Sequence, residues 1–268
     1  MNAAIRAHDF ERTTPCGCAG INEQKLDGLI ALHDGSHFIE TPDPVIALTG
    51  FKSIGPAAVV VWRDGAVTLI VTPEWDGDRA RDTCPSTRII AANDPISALA
   101  VCLAGERSCQ SNGRIGRPVV SPWGLARRLI ELLPNTAIAD DTINGPATIK
   151  TEEEIAHAGE ATRIAESGYR RVLEIALLGI SEDELAVELK WHSKTLGAED
   201  NFLLLCAGPR LRAVGPSTGR RLQTGDILLA EITPSYRGQL AQICRTVVCW
   251  ETQARLCVRS ISSWSGPW

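Results

Sequence analysis

Three polar residues near the end of the chain have types and spacing that suit chemistry. Glu231 and Gln242 are eleven residues apart, and Arg245 follows three residues later. A short apolar run precedes Glu231, and a Tyr236-x-Gly238 turn separates the two polar positions, which predicts a hairpin. Glu231 could act there as a general acid or base or hold a substrate, with Gln242 and Arg245 as polar anchors.

A plainer interpretation of the same segment stays open. Asp226 follows Gly225 and could be a turn residue that enters the strand, while residues 234–238 could form an ordinary hairpin loop. A Gly-Asp pair before a hairpin has little specificity by itself. The eleven-residue spacing and the Arg245-Thr246 pair make the segment more specific.

The whole layout resembles the metal-binding hairpin of the creatinase/aminopeptidase P/methionine aminopeptidase family, which has the pita-bread fold. In the metallopeptidases of that family the two polar positions are aspartates, whereas Glu231 and Gln242 occupy them here. The resemblance implies a hydrolase of C–N bonds. It would be an Xaa-Pro peptidase, or a creatinase-like amidinohydrolase that works without metal. The implied substrate is a small peptide or a small amide or amidino compound.

The two substitutions argue against the dinuclear metal site of the metallopeptidase relatives. Two divalent cations about 3.5–4 Å apart need anionic oxygen ligands of fixed reach. Glu231 is one methylene longer than aspartate, and the amide of Gln242 is neutral. In the family a histidine precedes the Gly-Asp pair with ten residues between them, but Val214 stands there in this chain. We therefore expect no metal and no other cofactor.

Other candidate groups have weaker support. Ser217 has no identifiable His or Asp partner, so a serine nucleophile is not favoured. His157 and His192 are expected at surface or packing positions. No second ligand pair accompanies the Cys16-x-Cys18 pair. Four nearby arginines could hold a substrate carboxylate, although a solvated loop is favoured: Arg210, Arg212, Arg220 and Arg221.

Composition fits an ordinary soluble globular chain of one or two domains. The 268 residues are 44% apolar and 22% charged, with a net charge of -5 and a pI near 5.6. The acidic balance argues against nucleic acid or a membrane as partner. No apolar run approaches about 18 residues, and no apolar signal core is visible, so a cytoplasmic location is expected. Nine irregularly spaced cysteines indicate reduced thiols.

The predicted fold class is α/β (α+β), with two domains. Residues 1–145 resemble a creatinase-type N-terminal domain, and residues 146–268 resemble the first half of a pita-bread domain. In the first domain we predict strands at 45–50, 57–62, 66–71 and 88–92, and helices at 95–105 and 122–133, the latter capped by Ser121.

The second domain begins with two predicted helices. A capping box of Thr151 and Glu154 starts a long amphipathic helix that ends at Gly179. Ser181 caps the next helix, and a strand follows at residues 201–208. In the family, one histidine and two glutamates of the second half complete the metal site, and this chain ends at Trp268.

We therefore expect a truncated protein that is inactive alone, a possible pseudoenzyme. An uncovered sheet face also predicts a homo-oligomer or a pairing partner. Two alternatives remain: a non-catalytic binding or oligomerisation module, and a non-metal enzyme completed by a partner chain.

Overall fold

The computed structural model describes residues 20–35, 43–105, 114–134, 136–139, 150–249 and 254–256. The chain divides into two compact units, Met1–Thr151 and Glu152–Trp268. Each unit has its own sheet and its own hydrophobic core.

Unit 1 is built on a six-stranded mixed sheet with the strand order β4-β3-β2-β1-β5-β6. The strands are β1 (Gly28–His33), β2 (Ala57–Trp62), β3 (Val67–Val71), β4 (Arg88–Ala91), β5 (Ile115–Arg117) and β6 (Ala137–Ile138). The helices are α1 (Pro44–Thr49), α2 (Gly77–Thr83), α3 (Pro95–Gly105) and α4 (Trp123–Leu132).

Both faces of this sheet are buried. Alternate residues of β2 belong to different cores: Val59 and Val61 pack with Phe51 on one side, and Val60 and Trp62 pack on the other. A strand covered on both faces is apolar at every position, because neither side meets water. This accounts for the unbroken Ala-Val-Trp run of β2.

Pro44–Thr49 form a helix, so the strand predicted at residues 45–50 is wrong. Asp43 Oδ1 accepts hydrogen bonds from Val45 N at 2.8 Å and Ile46 N at 3.1 Å, and Pro44 occupies the first turn. Gly50 closes the helix with a φ of 68°, which is the left-handed region. The apolar run fills a helical face against the sheet.

The predicted Ser121 cap of α4 is also wrong. The residue before the helix is Pro122, and no side chain caps it. Ser121 Oγ instead donates to Pro118 O at 3.4 Å.

The described part of unit 2 forms two helices and one antiparallel sheet. The helices are α5 (Glu152–Ile175) and α6 (Glu182–Thr195). The strands are β7 (Asp200–Gly208), β8 (Ile227–Tyr236), β9 (Gln239–Leu240), β10 (Ile243–Cys249) and β11 (Ala254–Leu256), in the order β11-β10-β8-β7 with β9 paired to β8. The predicted cap of α6 is confirmed: Ser181 and Glu184 form a complete capping box.

The helices that the structure describes in unit 2 pack on one face of its sheet. Val172 of α5 and Leu185 and Leu189 of α6 join a core with the buried residues of the strands. Strand residues alternate between faces, so Leu228, Ala230 and the other core residues of β8 point toward the helices. Glu231 therefore points to the opposite, open face.

Candidate functional site

Glu231 lies at the centre of the open face of the unit 2 sheet. It is a half-buried residue in the middle of β8, directly opposite Leu204 of β7 and Cys244 of β10. A central strand is held by ladder hydrogen bonds on both sides. The backbone of Glu231 is therefore fixed, and its carboxylate is presented from a rigid position.

Gln242 contacts Glu231 directly. Its Nε2 donates a hydrogen bond to Glu231 Oε1 at 2.6 Å, although the two residues are eleven apart in sequence. Gln242 is exposed and lies just before β10. The hairpin thus brings both predicted site residues together, with an amide donor against a carboxylate oxygen.

Arg245 points away from this pair. Cys244 is the residue of β10 opposite Glu231, so the next side chain projects to the helix-covered face. Arg245 Cζ lies 5.9 Å from the centre of the Tyr169 ring of α5. Its guanidinium packs against that ring, and the structure does not bring it to Glu231.

Sequence reasoning did not single out the groups that surround Glu231. Cys244 of β10 lies directly opposite Glu231. Cys206 of β7 and Thr233 of β8 point to the same face of the sheet as Glu231. Thr233 Oγ1 is buried, and none of the described residues gives it a hydrogen-bond partner. Strand register alone places these residues together, and the sequence pattern does not give register.

The two thiols of this face are held in their neutral form. Burial raises the pKa of Cys206, and burial followed by the charge of Glu231 raises the pKa of Cys244. A thiolate, not a thiol, is the nucleophile. Neither cysteine is therefore prepared for nucleophilic catalysis.

Cys249, on the helix-covered face, provides a measurable comparison. It is fully buried, and burial followed by the charge of Asp226 raises its pKa to about 11. Since alkylation requires the thiolate, we expect Cys249 to react with iodoacetamide at pH 8 at least about tenfold more slowly than exposed Cys244. Peptide mapping by mass spectrometry measures both rates. Urea should remove the difference, and equal rates in the folded protein would contradict the assignment.

Asp226, the acid of the Gly-Asp pair, has a structural partner. Arg220 Nη2 lies 2.7 Å from both of its carboxylate oxygens, and Gln223 N donates to it at 2.9 Å. Arg220 Nε also donates to Ala207 O at 2.9 Å. The pair ties the loop before β8 to the end of β7.

The predicted group of four arginines is divided between two roles. Arg221 Nη1 donates to Gly179 O at 2.6 Å, and Arg220 pairs with Asp226. Arg210 and Arg212 are exposed. The arginines therefore do not converge on one substrate carboxylate.

The remaining candidate residues make hydrogen bonds or ring contacts with neighbouring residues of unit 2. Ser217 Oγ donates to Asp183 Oδ1 at 2.7 Å. His192 Nε2 lies 2.9 Å from Ser167 Oγ between the two helices, and the His157 ring meets the Tyr236 ring edge-on. Val214 is half-buried in a segment that runs beside β7 through a hydrogen bond from Leu205 N to Gly215 O.

The side chains on the open face do not fit a metal cluster. Within the residues that the structure describes, no group of three or more His, Cys, Asp or Glu side chains could hold a metal ion.

The described helices also include none that is long and apolar enough to span a bilayer.

Sequence comparison identifies the domain that carries this hairpin. Residues 156–260 match the model of metallopeptidase family M24. The C-terminal unit carries a peptidase M24 domain. An uncharacterized peptidase, YqhT of Bacillus subtilis, is 29% identical over 111 residues, which are 40% of this chain and 31% of that protein. The Xaa-Pro dipeptidase of Pyrococcus furiosus is 22% identical over 233 residues, 84% of this chain and 65% of the relative.

Solved structures confirm the fold class. The prolidase from Pyrococcus furiosus superposes with a TM-score of 0.73 at 21% identity, over 87% of this chain and 70% of that one. The prolidase from Pyrococcus horikoshii gives 0.75 at 19% identity, over 89% and 65%. The mixed α/β chain thus has the architecture of the pita-bread peptidases over part of their length. The match to each of the two curated relatives spans less than two thirds of the relative's length.

Proposed function

We propose that the M24 domain of this chain works without a dinuclear metal centre. The observation that carries the proposal is the hydrogen bond from Gln242 Nε2 to Glu231 Oε1 at 2.6 Å. A bridged pair of cations needs anionic oxygens at both positions to neutralise its charge. Here one position presents an N–H donor to the other.

Glu231 is the group that remains for chemistry at this site. Its second carboxylate oxygen is available to accept a proton or to bind an N–H group of a ligand, and Gln242 fixes the orientation of the first. The ligand class that suits such a site is a small peptide, amide or amidino compound. Hydrolysis of a C–N bond, in the manner of an Xaa-Pro peptidase or of a metal-free amidinohydrolase, is the activity we propose for the complete site.

The described residues near Glu231 do not provide a second acid or base for catalysis. The neighbours of Glu231 are an amide, two neutral thiols and the hydroxyl of Thr233, and none of these titrates near neutrality. We therefore propose that this chain is inactive by itself.

As part of the same proposal, residues 1–145 are a creatinase-type N-terminal domain.

A second candidate is a non-catalytic binding module. It is favoured by the open face itself, where Leu204 and Leu229 flank Glu231 and remain partly exposed. Such a module would bind a ligand through Glu231 and leave it unchanged. Hydrolysis of a C–N bond by the chain that is abolished by Glu231→Gln would exclude this candidate, whereas loss of ligand binding in Glu231→Gln, with no hydrolysis by the wild type, would support it.

Metal titration tests the proposal. Calorimetry with Co²⁺ or Mn²⁺ should show no saturable binding to the wild-type chain. The double variant Glu231→Asp/Gln242→Asp should show saturable binding under the same conditions, because two carboxylates then face each other. Gln239→Asp, which adds a carboxylate elsewhere on the hairpin, is the matched control.

Two outcomes would contradict the proposal. Stoichiometric metal in the purified wild-type protein would show that Glu231 and Gln242 are adequate ligands. Cleavage of Xaa-Pro dipeptides by the double variant would show that the described residues suffice for peptidase activity, since we expect none.

A further inference from the structure

Thr233 carries a buried hydroxyl on the open face of the unit 2 sheet. The residue is 3% exposed, and none of the described residues forms a hydrogen bond with Thr233 Oγ1. The preceding residue, Ile232, belongs to the helix-covered core, so the side chain of Thr233 points to the same face as Glu231. A buried hydroxyl without a partner is unfavourable, because folding removes its hydrogen bonds to water. It is stabilised whenever a neighbouring polar side chain turns to it.

Gln242 is the side chain placed to provide that partner. Ile243 pairs with Ile232 across the two strands, and the backbone hydrogen bond two residues further along the hairpin, at 3.3 Å, keeps this register. Gln242 therefore lies directly opposite Thr233, at a distance of about 4.5–5.5 Å between Cβ atoms. Because Gln242 is exposed, its side chain can rotate. Its amide, which is bound to Glu231, has the hydroxyl of Thr233 within reach as a second partner.

A ligand with two parallel N–H groups needs both carboxylate oxygens of Glu231. Amidinium and guanidinium groups bind a carboxylate in this way, with one N–H group to each oxygen. Gln242 Nε2 already donates to Glu231 Oε1 at 2.6 Å, so that oxygen is occupied. A ligand with a single donor can bind Oε2 and leave Gln242 in place. A two-donor ligand has to displace the Gln242 amide, which then requires another partner.

We propose that a two-donor ligand displaces the Gln242 amide from Glu231 to Thr233 Oγ1. Gln242 is then an internal competitor for the site, and Thr233 is its second partner. This inference rests on the proposed role of Glu231 in ligand binding. The exchange favours binding, because the displaced amide keeps a hydrogen bond and the buried hydroxyl gains one. Thr233 therefore determines how strongly the site prefers amidinium-type ligands to ligands with a single donor.

Benzamidine, which joins an amidinium group to an apolar ring, tests the proposal on the full chain. Its ring suits the partly exposed Leu204 and Leu229 beside Glu231. Calorimetry should give a Kd on the order of 1 mM for the wild type. Gln242→Ala should lower this Kd about fivefold, because the competitor is removed. Thr233→Val keeps the shape of the side chain but removes the hydroxyl, so it should raise the Kd about fivefold.

The effect of Thr233→Val should depend on Gln242. In the Gln242→Ala background the same substitution should leave the Kd unchanged, since no displaced amide then needs a partner. Benzylamine has the same ring and charge but no pair of parallel N–H groups, so Thr233→Val should not change its Kd. Thr246→Val is the matched control, because Thr246 is exposed on the same face of β10 and should not affect benzamidine binding. Circular dichroism establishes that each variant is folded.

Glu231→Gln distinguishes failure of this inference from failure of the proposed function. Benzamidine that binds the wild type and Glu231→Gln equally well, or binds neither, would show that Glu231 is not the ligand-binding group, and both proposals would fall. In another case Glu231→Gln weakens binding, while Thr233→Val has no effect or the same effect with and without Gln242. The role of Glu231 would then stand, and the exchange of Gln242 to Thr233 would be overturned.

Discussion

Replacement of Glu182 by alanine is expected to lower the free energy of unfolding of unit 2 by about 2–4 kcal/mol. Glu182 is only 2% exposed, and its carboxylate accepts three hydrogen bonds. The donors are Ala207 N at 2.6 Å, Thr218 N at 2.8 Å and Thr218 Oγ1 at 2.7 Å. Removing the acceptor leaves the buried N–H of Ala207 without a partner, which costs more than the bond itself contributes.

Urea denaturation measures this loss, and hydrogen exchange locates it. The amide of Ala207 should lose protection in the Glu182→Ala variant. Asp183→Ala is the matched control, because it removes the same charge from the next position of the helix, where the side chain is exposed and accepts one hydrogen bond, from Ser217 Oγ. It should cost about 1 kcal/mol or less. Equal losses in the two variants would show that Glu182 acts only through its charge.

The strands and helices of both units follow closely from local sequence signals. Strand β2 and helix α3 lie where the sequence predicts them. A Val-rich run before Asp-Gly favours a strand, and an Ala/Leu-rich run after Pro95 favours a helix. The cap of α6 was equally clear, since Ser181 and Glu184 have the spacing of a capping box. Signals of this kind act within a few residues.

At residues 45–50 apolar content alone does not distinguish a strand from a helix. Asp43, Pro44 and Gly50 are the cap, first-turn and terminating residues of a short helix. All three were visible in the sequence. The Val-Ile-Ala-Leu run between them suits a buried strand as well as a helix face, so the flanking residues decide the outcome.

The candidate site was predictable only in part. The hairpin and the approach of Gln242 to Glu231 follow from the turn between them. The face on which each side chain lies depends on register, and a shift of one residue exchanges the faces. For this reason the sequence indicated Arg245 as a site residue, whereas the register places Cys244 opposite Glu231.

The partners in the long-range ion pairs could not be predicted from the sequence, for a different reason. The four arginines in and around the loop before β8 looked alike in the sequence, yet Arg220 binds Asp226 and Arg221 caps the Gly179 carbonyl. Which arginine meets the acid depends on how the loop folds back on β7. The Ala207 peptide lies at that point, with its N–H bound to Glu182 and its carbonyl bound to Arg220.

Arg220→Ala is therefore expected to destabilise unit 2 by about 2–4 kcal/mol. Asp226 is 3% exposed, and without Arg220 its buried carboxylate keeps only the hydrogen bond from Gln223 N. The Ala207 carbonyl loses its side-chain donor in the same variant. Denaturation of unit 2 in urea measures the effect.

A double-mutant cycle separates the ion pair from other effects of the substitution. Asp226→Asn removes the buried charge, so Arg220→Ala should cost at least about 1 kcal/mol less in the Asp226→Asn background than in the wild type. Arg221→Ala is the matched control, because Arg221 is exposed and its loss should cost about 1 kcal/mol or less. Strict additivity of Arg220→Ala and Asp226→Asn would show that the two charges do not stabilise each other. The position of β8 would then depend on the strand ladder alone.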